Sequence, residues 1–226
     1  MINIDYIDNL PSILDLKVPA GETLNLRICA FSSLQDTIIN VDVDENGYFN
    51  GVLADFTDNS FKFIVNISLK SRGSGCEWHA ASLAKNKTKK VFEPSVTHND
   101  THQYALMSNY GIARDESELV FAGCSEIIKG AKATNTRQEA KIIVFDEKCK
   151  AKASPILKIG ENDISASHGA VVGRLNDQHL FYLESRGISE EQAKRLITLG
   201  YLKPITNYFT DEKLKERIVE SIEKGI

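Results

Sequence analysis

Residues 24–31, Leu-Asn-Leu-Arg-Ile-Cys-Ala-Phe, place apolar side chains at alternate positions, the period of a strand with one buried face. The same texture recurs in Thr37–Val43, Tyr48–Phe56, Phe61–Leu69, Gln103–Tyr110, Glu118–Phe121, Lys141–Phe145 and Ile156–Ile159. Turn-forming residues lie between many of these segments: Asn46-Gly47, Asp58-Asn59 and the glycines at 73, 75, 111 and 123. Short strands at roughly 8–12-residue spacing predict a sandwich, a barrel or a β-solenoid. No strict repeat stands out, so periodicity does not choose among the three. Residues 71–90 are ambiguous between helix and strand.

After Gly173 the texture becomes helical. Asn176-Asp177 offers a cap for a first helix carrying Leu180, Phe181 and Leu183 and ending near Gly187. Ser189 with Gln192 forms a capping box for a second, with Ala193, Leu196 and Ile197 inside and Gly200 as its stop. Thr210 or Asp211 opens a third, with Leu214, Ile218 and Ile222 on one face. The expected organisation is a β-rich body over residues 1–172, its first ~20 residues a short N-terminal segment, and a helical region over 173–226. Three short helices bury little among themselves, so the tail packs either on the body or on a partner.

The chain has 226 residues, 42% hydrophobic and 26% charged, with formal net charge −4. An acidic chain is not expected to have nucleic acid as its partner, because such partners call for a basic surplus. No apolar run reaches the ~20 residues of a membrane helix. The first residues, Met-Ile-Asn-Ile-Asp, lack the basic start of a secretory signal, so a cytoplasmic location is expected. Phosphate-loop, zinc-protease, nucleophile-elbow and complete dinucleotide-binding motifs are missing, so the chain does not read as a self-sufficient nucleotidase, hydrolase or dehydrogenase.

Cys29, Cys76, Cys124 and Cys149 are too dispersed for a disulfide scaffold and form no C-x-x-C pair. Cys29 reads as a buried strand residue. Cys149 sits among Lys148, Lys150 and Lys152, neighbours that favour a thiolate. Cys76 and Cys124 read first as buried strand cysteines, and otherwise as relays carrying persulfide sulfur. His98 and His102 have a metal-pair spacing that converges only on a helix, whereas Pro94, Asn99 and Asp100 predict a loop.

Residues 165–199 read SASHGAVVGRLNDQHLFYLESRGISEEQAKRLITL. The LFYLESRGI core with the upstream SHGA resembles the C-terminal signature of the SufB/SufD family of the SUF iron–sulfur assembly machinery. Weaker similarity extends through TNTRQEA, from about residue 95. The resemblance implies a right-handed parallel β-helix followed by helices that dock a SufC-type ABC ATPase. It implies a scaffold rather than an enzyme, a transient iron–sulfur cluster built at the interface of a homodimer or a heterodimer with a SufB/SufD paralogue, and a sulfur donor protein. His168 matches the histidine of both branches, and Cys149, six residues before Pro155, resembles the SufB assembly cysteine. Gly169 follows the histidine as in SufD, and Ala166 stands where SufD commonly has cysteine. The mixture suggests a compact single-paralogue or SufD-like member, with Cys149 and His168 from two subunits supplying four cluster ligands. Leu180, Phe181, Tyr182 and Arg186 are the expected ATPase contacts. The alternatives are a supporting SufD-like subunit without cluster ligands of its own, and a β-helix enzyme acting on carbohydrate through clustered carboxylates such as Asp42, Asp44 and Glu45.

Overall fold

The computed structural model describes residues 1–174 and 177–225, without the side chains of Asp177 and His179. The chain winds into a parallel β-solenoid of about six turns. The first turn holds β1 (Ile2–Ile7) and β2 (Ile13–Val18), the second β3 (Thr23–Ala30) and β4 (Thr37–Val43), the third β5 (Tyr48–Asp55) and β6 (Phe61–Leu69). Next come β7 (Gly75–Ala84) with β8 (Lys89–His98), then β9 (Tyr104–Ala113) with the short β10 (Glu118–Phe121) and β11 (Cys124–Ile127). The last full turn holds β12 (Thr134–Val144), β13 (Lys150–Ala153) and β14 (Ile156–Ile159), and β15 (Ile164–Arg174) ends the solenoid. One sheet runs β1-β3-β5-β7-β9-β12-β15, and the other stacks β2, β4, β6 and β8, followed by the short strand pairs. The first 18 residues are therefore the solenoid's opening turn, and the ambiguous stretch 71–90 contributes strands.

Each winding is longer than the one before through most of the body. Ile2 pairs with Leu24, Thr23 with Tyr48, Tyr48 with Gly75, Gly75 with Tyr104 and Tyr104 with Asn135. The spacing drifts from 22 to 31 residues across these pairs, so no fixed period exists to be read. Registry is held by stacked like residues instead. Asn50 donates to Asn25 and Asn25 to Asn3, at 3.0 and 2.9 Å. On the other sheet Asn66 donates to Asn40 and Asn40 to Asp15. Inside, Phe63, Phe92 and Phe121 stand on facing positions of successive turns, with Trp78 stacked on Phe63 at 6.0 Å.

Gly111, expected in a turn, lies within β9. A Cβ there would stand 2.3 Å from Leu119 and 3.1 Å from Phe121 on the facing sheet, so the glycine sets how closely the sheets approach. Gly111→Ala is expected to cost about 1–3 kcal/mol through overpacking. The measurement is a lower urea midpoint at unchanged m-value; a midpoint within error of wild type would count against it.

The helices follow as α1 (Asp177–Ser185), α2 (Glu190–Leu202), a 3₁₀ turn (Lys203–Tyr208) and α3 (Glu212–Lys224). The Ser189/Gln192 capping box is present, and Asp211 caps α3 through the amides of Lys213 and Leu214. The expected Asn176 cap lies outside the described residues. Gly200 does not stop α2: the helix continues to Leu202 and gives way to the 3₁₀ turn at Pro204, whose ring cannot donate a helical hydrogen bond. The tail packs on the body. Leu202, Ile205, Phe209, Ile218 and Ile222 bury themselves against Cys29, Val52, Ala81, Leu83 and Ile112 on the outer face of the seven-stranded sheet. Arg217 fixes the arrangement, pairing with Asp8 at 3.2 Å and stacking 3.9 Å over Phe31.

Candidate functional site

β15 is the last strand of its sheet and pairs only with β12 among the described residues. His168 sits near its middle, exposed, opposite Gln138. It borders a shallow groove with Arg137, Glu139, Lys141 and Ser167. Val171 and Val172 follow at 53% and 47% exposure. Eleven residues of Ser, Ala, Gly, Val, Ile and His with a single terminal Arg174 leave a long edge almost free of charge. The other strands at this end are built differently. β13 and β14 are four residues each and carry Lys150, Lys152 and Lys158 outward. Short, lysine-bearing edges are the usual guard against pairing with another sheet, and β15 lacks that guard.

Cys149 lies in the turn after β12, with Sγ 3.5 Å from the Asp115 carbonyl oxygen. Burial pushes its thiol up, and the Asp146 and Asp115 charges add to this despite hydrogen bonds from the Asp146 and Ser117 side. The lysine neighbours do not produce the expected thiolate; Lys148 turns to Glu116 at 3.2 Å. Nor does one chain bring Cys149 and His168 together. Val144 pairs with Arg174 and Gln138 with His168, six positions apart, which at the rise of a strand is about 20 Å.

The remaining cysteines and histidines are separated as well. Cys76 faces the solenoid interior, where burial pushes its thiol up. Cys29 lies under α3, its thiol pushed up by burial to about 12. Cys124 alternates with the buried Ser125 and so faces outward, on the opposite side of a sheet from Cys76. These two form no visible relay. His98 ends β8 fully buried, while His102 sits in the following loop at φ 59°. Among the described residues no group of three His, Cys, Asp or Glu side chains could hold a metal ion. Asp42 and Asp44 pair with Lys70 and Lys17 on the surface and make no carboxylate cluster.

The expected partner face lies on α1. Phe181 and Tyr182 are 73% and 57% exposed, Leu180 is half-buried, and the Arg186 guanidinium lies 5.3 Å from the Tyr182 ring.

One constellation had no sequence signal. His79 on β7 accepts or donates at both ring nitrogens, Nε2 to Glu77 at 3.0 Å and Nδ1 to the Tyr208 hydroxyl at 3.1 Å, and stacks on Tyr208 at 4.2 Å. Burial holds its pKa below the ordinary histidine value, with Glu77 pulling the other way. His79 and Tyr208 are 129 residues apart, so only the docked tail reveals the pair.

Comparison with known proteins agrees with this architecture. The family model described as "SUF system FeS cluster assembly, SufBD core domain" matches residues 32–201. The iron–sulfur cluster assembly protein SufD of Bacillus subtilis is 35% identical over 144 residues, 64% of this chain and 33% of the relative. SufD of Escherichia coli is 25% identical over 229 residues, 96% of this chain and 54% of the relative. A SufBD family protein of Mycobacterium leprae is 32% identical over 131 residues, 58% of this chain and 33% of the relative. The chain thus spans about a third to a half of the relatives it matches. The match across most of the solenoid and its first two helices, on a fold of the kind the signature implied, makes this chain a member of the SufBD family.

Proposed function

We propose that the chain is a non-enzymatic scaffold subunit of cytoplasmic iron–sulfur cluster assembly, and that β15 is the edge on which it meets a second copy or a SufB/SufD paralogue. The observation that carries this reading is the long, nearly uncharged β15 edge bearing His168, unpaired on its outer side among the described residues, beside neighbours that are short and guarded by lysine. His168 offers an exposed imidazole to iron at that edge. Cys149 cannot join it within one chain. An antiparallel pairing of two β15 strands centred on Val171 sets Arg174, and with it the Cys149 turn, beside His168 of the partner subunit. That geometry gives two Cys–His sites related by the twofold axis, rather than one site of four ligands. The cluster is cargo, held by few protein ligands and released.

The exposed Phe181 and Tyr182, with Leu180 and Arg186, form the surface for an ABC-type ATPase of the SufC kind, and a sulfur donor supplies sulfide. The carbohydrate-enzyme reading has no support, because Asp42 and Asp44 are tied to lysines.

The test combines assembly state with cluster formation. Val171→Lys is expected to turn the dimer into a monomer in light scattering, measured on the chain alone and mixed with a SufB-type paralogue. In anaerobic reconstitution with iron and sulfide, His168→Ala and Cys149→Ser should each lose most of the sulfide-to-iron absorption of the wild type. A Val171→Lys protein that still dimerises, or a His168→Ala protein that loads fully, overturns the assignment.

A further inference from the structure

The solenoid begins on an open end. Among the described residues β1 pairs only with β3 and β2 only with β4, so both strands of the first turn leave one backbone edge free. The core runs out onto this end. Leu24, Leu26, Ile39 and Val41 of the second turn are buried, whereas Ile2, Ile4, Leu14 and Leu16, which pair with them, are exposed or only partly buried. A terminal turn with apolar side chains toward solvent calls for a cap.

The polar residues of this end are arranged about two apolar centres. Asn3 and Asp5 flank Ile4 on β1, and Asp15 and Lys17 flank Leu16 on β2. Asn3 accepts from Asn25 and Arg27 through its carbonyl, and its amide N–H groups have no partner among the described residues. Asp5, beside Arg27 at 3.5 Å, is 61% exposed; Lys17, beside Asp44 at 3.1 Å, is 69% exposed. Asp15 accepts from Asn40 on one oxygen. Each centre thus has a donor on one side and an acceptor on the other. Ile4 stands three residues before the end of β1 and Leu16 three after the start of β2, which sets them opposite each other across the solenoid. Gly111 of β9 faces Leu119 and Phe121 of β10 from the corresponding place four turns on.

One twofold axis through Ile4 and Leu16 therefore serves both sheets. Antiparallel pairing about it sets Asn3 opposite Asp5 of the partner subunit and Asp15 opposite Lys17 of the partner subunit. On the core side it sets Ile2 opposite Tyr6 and Leu14 opposite Val18. Other registers fail. Moving the axis by half a residue puts inward side chains against outward ones. Moving it by a whole residue centres it on Asn3 and Lys17, or on Asp5 and Asp15, with like charges face to face.

We propose that this end binds a second copy of the chain, first turn against first turn, in that register. It lies at the opposite end of the solenoid from β15, and the proposal does not rest on the reading of that edge. Two six-residue strands a side fall short of the ~1,200 Å² of a stable interface, so the contact is weak. It is populated at ~0.1–1 mM and empty at the low micromolar concentrations where pairing through β15 is read.

The test is sedimentation equilibrium up to ~1 mM on the full chain carrying Val171→Lys, which removes pairing through β15. Association is expected at the upper concentrations. Adding Asp15→Lys sets lysine against Lys17, and adding Lys17→Asp instead sets aspartate against Asp15, so each should weaken association by about tenfold. An equimolar mixture of those two variants restores opposite charges at both positions and should associate more tightly than either alone. The doubly changed chain, Asp15→Lys with Lys17→Asp, should associate like its parent. A parent that stays monomeric throughout, single variants that associate like it, or a mixture no tighter than its components each overturns the proposal. Should Val171→Lys leave dimers through β15, the same variants are read as loss of tetramer, so failure of one reading does not mask the other.

Discussion

Replacing Lys90 with methionine is expected to destabilise the protein by about 3–5 kcal/mol, the consequence of breaking a buried ion pair from one side. Lys90 on β8 is a charged residue with no exposed side-chain surface, and neither has its partner Asp55 on β5. The ammonium donates to Asp55 Oδ2 at 2.7 Å, to the Thr57 carbonyl at 2.7 Å and to the Leu83 carbonyl at 2.8 Å. That uses all three of its donors. Asp55 in turn accepts from the Ser82 hydroxyl on Oδ2 and from the Thr57 amide and hydroxyl on Oδ1. The network ties β5, β7 and β8 across the solenoid turn. Methionine fills the space but leaves a buried carboxylate and two carbonyls without their cation. Urea unfolding should show a lower midpoint with little change in m-value. Adding Asp55→Asn to Lys90→Met removes the orphaned charge, so the double variant should be less destabilised than the two single losses added together. Additive losses, or a single loss below about 1 kcal/mol, would show that the pair does not organise the turn.

How much of this was legible depends on which faces of a strand meet water. β4 and β6 have buried and more exposed positions in alternation, and their sequences alternate accordingly. β7 is buried almost throughout, with Trp78 and Ala80 inside and Ala81 and Leu83 under the tail, so its alternation vanishes and the stretch reads ambiguously. β15 is built from small residues and shows no period at all. Strand spacing left the solenoid as one of three architectures, and only the family resemblance chose it, because a winding that lengthens from 22 to 31 residues erases the repeat. Helix ends were legible where a side chain closes them, at Ser189 and Asp211, and illegible where proline in the next turn does so.

The site was legible only at the level of single residues. His168 stood out in SHGA, and the structure adds that its strand is an open edge. The reading of Cys149 from its lysines failed because charge proximity in sequence is not proximity to Sγ: Lys148 reaches Glu116, while the thiol sits beside the Asp115 carbonyl. Lys90 carried no signal, since its acceptors lie 7, 33 and 35 residues away.

Acidification should destabilise the protein before most of its carboxylates titrate, and His98 is the main reason. The side chain is fully buried, and neither ring nitrogen has a hydrogen-bond partner, because the neighbouring Gln103 amide is committed to Asn99, Leu69, Ser71 and Ser74. Burial pulls its pKa to about 4, against a weaker upward pull from Gln103. The unfolded chain titrates near the ordinary value of ~6.5. Above that value the ring is neutral in both states and stability does not change with pH. As pH falls from ~6.5 toward 4, the unfolded state takes up a proton that the folded state refuses, so stability drops by up to roughly 3 kcal/mol. His79, also held below its ordinary value by burial, adds loss of the same sign. Asp8 and Glu139 are held low in the fold, so their contributions fade only as pH approaches the carboxylate range. Between pH 6.5 and 5 the slope therefore belongs to the histidines. Urea midpoints across that interval should fall steeply in the wild type and more shallowly in His98→Leu, by about one proton's worth of slope. If the two slopes coincide, His98 is protonated in the folded protein, and the acid sensitivity has another source.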